Sequence, residues 1–126
     1  MSIIKLISLV LLIISPASYA GYNVYITKKE FYLNEGKCIT PVEWRSYLET
    51  DPFVIVDPHN SEQDFIVSVN EQVFPLWYSY DSCDLFTKNP SPEAINKMIE
   101  IAKMLNATVQ GDELEIYITP DNVIRK

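Results

Sequence analysis

Hydrophobic positions recur along this chain at two spacings, and the two together divide it into helices and strands. The clearest helical pattern lies between Ser91 and Asn106. Ile95, Met98, Ile99, Ala102 and Leu105 fall at i, i+3, i+4, i+7 and i+10 and share one face, with Asn96, Lys97, Glu100 and Lys103 mostly off it. Ser91 is a good N-cap, Pro92 a good first helical residue, and Asn106 tolerates the left-handed backbone that ends a helix. A shorter helix, of about ten residues, opens on the capping box Thr40-Pro41-Val42-Glu43, carries the apolar stripe Trp44, Tyr47 and Leu48, and stops at Asp51-Pro52.

Elsewhere the period is two. Tyr22, Val24 and Ile26 alternate with Asn23, Tyr25 and Thr27 as an opening strand. Phe53 to Val56 is a short apolar run, and Asp64 to Val69 and Gln72 to Tyr78 form a hairpin turning at Asn70-Glu71. Pro75 interrupts the second of these strands and predicts an edge position or a bulge. Alternation there puts Phe74, Leu76 and Tyr78 on one face and Val73, Pro75 and Trp77 on the other. Both faces are apolar, so either both are covered or one is a binding surface. Cys83 to Lys88 leads into the long helix, and Ala107 to Gln110 and Leu114 to Thr119 pair around Gly111-Asp112. The order β-α-β-β-β-β-α-β-β predicts a single α+β domain over residues 21–119, mainly antiparallel with both helices packed on the sheet, and a loose tail over 120–126.

The first twenty residues stand apart. Lys5, an apolar run ending before Pro16, and Ser18-Tyr19-Ala20 have the form of a secretory signal cleaved before Gly21. The run from Ile3 to Ile14 falls short of the roughly 20 residues a spanning helix needs. Residues 21–126 then hold nine basic and seventeen acidic side chains, a net charge of −8. Such a chain disfavours nucleic acid and anionic membranes and attracts a basic partner. Export also favours a disulfide between Cys38 and Cys83, whose long loop carries an entropic stabilisation of about 4 kcal/mol at most.

Candidate chemistry is sparse. His59, the single histidine, lies in a turn with Asp57 two residues before it, and reads as an exposed turn residue in preference to a general base. Ser61, Ser79 and Ser82 lack an activating context. Asp112, Glu113 and Glu115, with Glu62 and Asp64, read as a solvated hairpin tip with charged gatekeeping or a docking patch in preference to a catalytic pair. The cysteines and the histidine lack metal-ligand spacing, and no cofactor motif is present. Asn106-Ala107-Thr108 matches a glycosylation acceptor but lies in a tight joint. Trp77, Tyr78 and Tyr80 crowd beside Asp81 and Asp84, a composition typical of interface hot spots.

Several blocks together carry a resemblance. Ile26-Thr27-Lys28, Thr40-Pro41-Val42-Glu43-Trp44, Asp51-Pro52, Trp77 and Lys88-Asn89-Pro90 are followed by Lys97-Met98, Ile101-Ala102, Leu105, Ala107, Val109-Gln110-Gly111-Asp112, Glu115 and Tyr117. This pattern resembles a family of small uncharacterised bacterial proteins without assigned activity, most of which lack an export signal. Their small, acidic form is similar in type to bacterial immunity proteins. The resemblance implies the fold and leaves the function open. The expectation is an exported, periplasmic or secreted, non-enzymatic domain that binds a protein, an immunity protein or inhibitor of a basic toxin or hydrolase. Trp77, Tyr80, Asp81 and Asp112 are its candidate binding residues. The alternative is a cell-envelope module binding a glycan or peptide in a pocket shared by Trp77 and Trp44. A carboxylate hydrolase is the weakest reading.

Overall fold

The computed structural model describes residues 21–125. The secretory segment expected over residues 1–20 lies outside them. The described chain runs β1 (Asn23–Thr27), α1 (Pro41–Thr50), β2 (Val54–Val56), β3 (Asp64–Val69), β4 (Gln72–Ser79), β5 (Asp84–Lys88), α2 (Pro92–Met104), β6 (Thr108–Gly111), β7 (Ile116–Thr119) and β8 (Asn122–Ile124). All the strands join one antiparallel sheet of eight, in the order β2-β3-β4-β5-β1-β6-β7-β8. The expected α+β order holds through β7. The expected tail differs, because residues 122–124 add β8 to the edge, pairing Ile116 with Ile124 and Tyr117 with Val123.

Both helices pack on one face of the sheet. Ser91 Oγ accepts from the Ala94 N–H, and the stripe from Ile95 to Leu105 is buried with Ile101 against Val24, Ile26 and Val109. Asn106 ends α2 with φ of 54°. The capping box opens α1 as expected, the Glu43 N–H donating to Thr40 Oγ1 and the Thr40 N–H to the Glu43 carboxylate. Trp44 meets Phe65 edge-on at 5.3 Å. Lys97 of α2 pairs with Asp51 at the end of α1, 2.8 Å away, so an ion pair ties the helices together. The Lys97 ammonium and the Tyr47 hydroxyl hold the Asp51 carboxyl below the usual carboxylate range against the opposing effect of burial.

Asn70 and Glu71 turn the β3–β4 hairpin with φ of 46° and 65°. Positive φ at both central residues makes this the tight turn whose twist suits the flanking strands. Pro75 is in register with Ile66 and carries no bulge, and although β4 is an interior strand the edge expectation holds locally, on the side facing β5. The physical reason is local. The β4–β5 ladder begins only at Trp77↔Phe86, so Pro75 has no β5 residue awaiting an N–H, and the Thr87 hydroxyl donates to its carbonyl at 2.6 Å.

On the other face of the sheet, residues 28–39 form a strap across β1 and β6. Tyr32 stacks on Tyr25 with centroids 4.0 Å apart. Gln110, fully buried beneath the strap, accepts from the Tyr32 N–H and donates to the carbonyls of Lys29 and Glu30. Buried Lys29 pairs with buried Asp84 at 3.2 Å and also donates to the Ser82 carbonyl. The strap returns through the Cys38–Cys83 disulfide, with Cα atoms 5.1 Å apart. Ile39 then enters the core, its N–H donating to the Cys83 carbonyl and its own carbonyl accepting from the Tyr78 hydroxyl. Among the described residues no helix is long and apolar enough to cross a membrane.

Candidate functional site: the free face of the sheet

The strap covers the β1–β6 part of the second face and leaves β2 to β5 open. The alternation expected on β4 is observed: Leu76 and Tyr78 are buried under the helices, whereas Val73 and Pro75 are exposed and Trp77 is half-buried on the other side. Register then assembles an apolar surface from neighbouring strands. Ile55, Ile66 and Pro75 lie opposite one another across β2, β3 and β4. A second row runs Asp64, Trp77, Phe86, Tyr25, Gln110 and Ile116 across the sheet. The Trp77 and Phe86 rings are 5.3 Å apart and those of Phe86 and Tyr25 6.2 Å. Ile55 is 52% and Val73 70% exposed, so this is a true apolar patch on an otherwise acidic protein.

Trp77, Tyr80 and Asp81 lie near one another. They line a shallow cleft of about 340 Å³ with Gln63, Asp64 and Phe86. The β4–β5 turn places Tyr80 and Asp81 at the cleft mouth, and Cys83 follows with φ of 50°, anchored by the disulfide. Asp64 uses one carboxylate oxygen to accept from the Ser61 N–H and hydroxyl, which holds it beside Trp77. Phe86 and Ile66 were not singled out from the sequence, and Asp64 was grouped there with the acids of the last hairpin and not with Trp77. The signal that could have found them is the alternation of β3 and β5, which puts them on the Trp77 side.

Asp112 is not part of this group. Its carboxylate accepts from the Asn23 N–H at 2.6 Å and from the hydroxyls of Tyr25 and Tyr32 at 3.0 and 3.4 Å, so it braces the outer end of the strap. Burial pushes the Tyr25 hydroxyl up to about 12, with Asn23 opposing and Asp112 adding to the rise. Tyr25 therefore stays a proton donor to Asp112 at neutral pH.

The acidic hairpin also differs from its expected form. Glu113 is exposed, but Glu115 is buried beneath the Tyr22 and Tyr117 hydroxyls, accepting from both and from the Glu113 N–H. Burial first, then Glu115, raises Tyr22 well above an ordinary phenol, so it too remains a donor. Glu115 lies directly over Gly111, where an added Cβ would meet its carboxylate at 2.3 Å. A side chain at 111 would displace the acid, which explains the glycine in a strand. The expected solvated tip is thus half structural, because two tyrosines supply donors that linear spacing does not show.

Glu62 and Asp64 lie by β3, four strands from β6, so these two acids do not converge with those of the last hairpin. Asp57 accepts from the backbone N–H of His59 and from the Asn60 amide, which hold its carboxyl below the usual range. That contact is a turn bond and does not orient the imidazole. Among the described residues no group of three His, Cys, Asp or Glu side chains is placed to hold a metal ion. Trp44 lines a different cleft, with Arg45, Leu48 and Phe65 on the helix side, so the two tryptophans do not share a pocket. Compared with protein families, curated proteins and solved structures, the chain matches none of them.

Proposed function

We propose that this chain is an exported, non-enzymatic binding domain that docks a basic protein on the free face of its sheet. In this reading it acts as a periplasmic immunity protein or inhibitor of a basic toxin or hydrolase. The observation that carries the proposal is the open patch of Ile55, Ile66, Val73, Pro75, Trp77 and Phe86, edged by Asp64 and Asp81. Large aromatics in a desolvating patch supply affinity, and surrounding acids supply steering toward a basic surface. Export is supported by the disulfide, a bond that persists in oxidising compartments, and by the form of residues 1–20. The separation of Trp44 from Trp77 supports a broad protein-docking face over a single glycan pocket.

The electrostatic half of this reading is tested by the association rate of the complex. With a net charge of −8 over residues 21–126, the rate constant falls on the order of tenfold or more between low and physiological salt, while the dissociation rate changes little. An association rate indifferent to salt contradicts it.

A further inference from the structure

We infer that the cleft at the Trp77 end of the free face is a socket for one cationic side chain, an arginine or lysine projecting from the docked protein. The inference rests on the docking proposal above and names the group that this part of the face receives. Three features converge there. Trp77 and Phe86, their rings 5.3 Å apart, line a cleft of about 340 Å³, enough for the planar head and part of the stem of an arginine, while Tyr80 stands at its margin, edge-on to Tyr78. A cation over such faces is attracted by the ring quadrupole, and a guanidinium also stacks on them. Two carboxylates, Asp64 from β3 and Asp81 from the β4–β5 turn, line the same cleft from different segments.

Neither acid is spent internally on a cation. Among the described residues the ion pairs join Lys28 to Glu43, Lys29 to Asp84, Lys97 to Asp51 and Arg125 to Glu113, and none reaches Asp64 or Asp81. The Ser61 contacts fall on Asp64 Oδ2 alone, leaving Oδ1 able to accept. The cleft thus combines apolar walls that strip water from a side-chain stem with two carboxylates that favour a positive head. A neutral sugar would satisfy the rings and leave the carboxylates without a counter-charge. An anionic ligand would be repelled.

The test uses the blocked peptide Gly-Arg-Gly and its citrulline counterpart, which keeps the shape and removes the charge. Each is titrated into the isotope-labelled protein while the Trp77 indole N–H and the Tyr80 and Asp81 amides are followed by NMR. The arginine peptide is expected to give saturable shifts confined to these positions, with an affinity on the order of millimolar. Citrulline should bind about tenfold more weakly, and Asp81→Asn, an exposed turn substitution that leaves the fold intact, should weaken the arginine peptide roughly three- to tenfold. Equal responses to the two peptides would overturn the socket in favour of a neutral ligand stacking on the rings. Absence of saturation, or shifts elsewhere on the sheet, would overturn it outright. If a basic protein is nevertheless captured and Val73→Lys, outside the cleft, weakens that capture, docking stands and only the socket falls.

Discussion

Lys29→Met lowers the stability of the protein by roughly 3–5 kcal/mol at neutral pH, the usual consequence of leaving one partner of a buried ion pair without the other. Lys29 and Asp84 are 92% and 99% buried, so the remaining carboxylate has neither counter-ion nor water. Burial already raises the Asp84 carboxyl above its ordinary 3.8, with Thr27 and Lys29 opposing the rise. The folded protein therefore holds this proton more firmly than the unfolded chain. The stabilisation from protonated Asp84 is complete below 3.8 and is lost as pH rises through the higher folded value. Removing Lys29 removes an opposing influence and pushes the folded value further up. The deficit of the variant is consequently largest near neutrality and shrinks as pH falls toward 3.8. Urea unfolding across this range checks it, and Lys29→Met with Asp84→Asn should recover much of the loss at pH 7. A deficit independent of pH and untouched by the second substitution would show that Lys29 contributes packing alone.

Removing the disulfide, by reduction or by Cys38→Ala with Cys83→Ala, costs about 2–4 kcal/mol and lowers Tm on the order of 10–20 °C. Part of the effect is the freedom that the unfolded chain regains between residues 38 and 83. The rest comes from the strap, whose return into the core is fixed by the bond and by the Ile39–Cys83 and Tyr78–Ile39 hydrogen bonds beside it. When the strap loosens, Gln110 and Thr27 lose their cover, and the Tyr25–Tyr32 stack opens first. Thermal unfolding with and without reductant measures the total, and amide exchange at Tyr32 and Gln110 localises it. Equal Tm values would mean that the ion pair and the hydrogen bonds hold the strap without help.

Much of the scaffold was readable because it depends on neighbours in sequence. The α2 stripe, both N-caps, the Asn70-Glu71 turn and the two faces of β4 all follow from residues a few positions apart. What linear spacing does not contain is register between distant strands. Phe86 joins Trp77 only because β5 pairs with β4, and β1 sits at the centre of the sheet only because β5 and β6 flank it. β8 is three residues long, too short to show a period, and exists through its pairing with β7. The polar layer under the strap was hidden for the same reason. Lys29 looks like one of several loop charges until Asp84, 55 positions along, is placed beside it. At the candidate site, Trp77, Tyr80 and Asp81 were close in sequence and line one cleft, while Asp112 shares only the acidity of Asp81 and sits at the far end of the aromatic row.

The central claim is that the face opposite the helices receives a basic protein. It is tested most directly by capture from envelope extracts at low and high salt, comparing the wild-type protein with Ile55→Lys/Val73→Lys. Both substituted side chains are exposed, so the fold is retained while the patch becomes polar and positively charged. The account predicts one basic protein held by the wild type at low salt, weakened at high salt and lost from the variant. Equal retention by the two proteins, or a retained partner that is acidic, would contradict it.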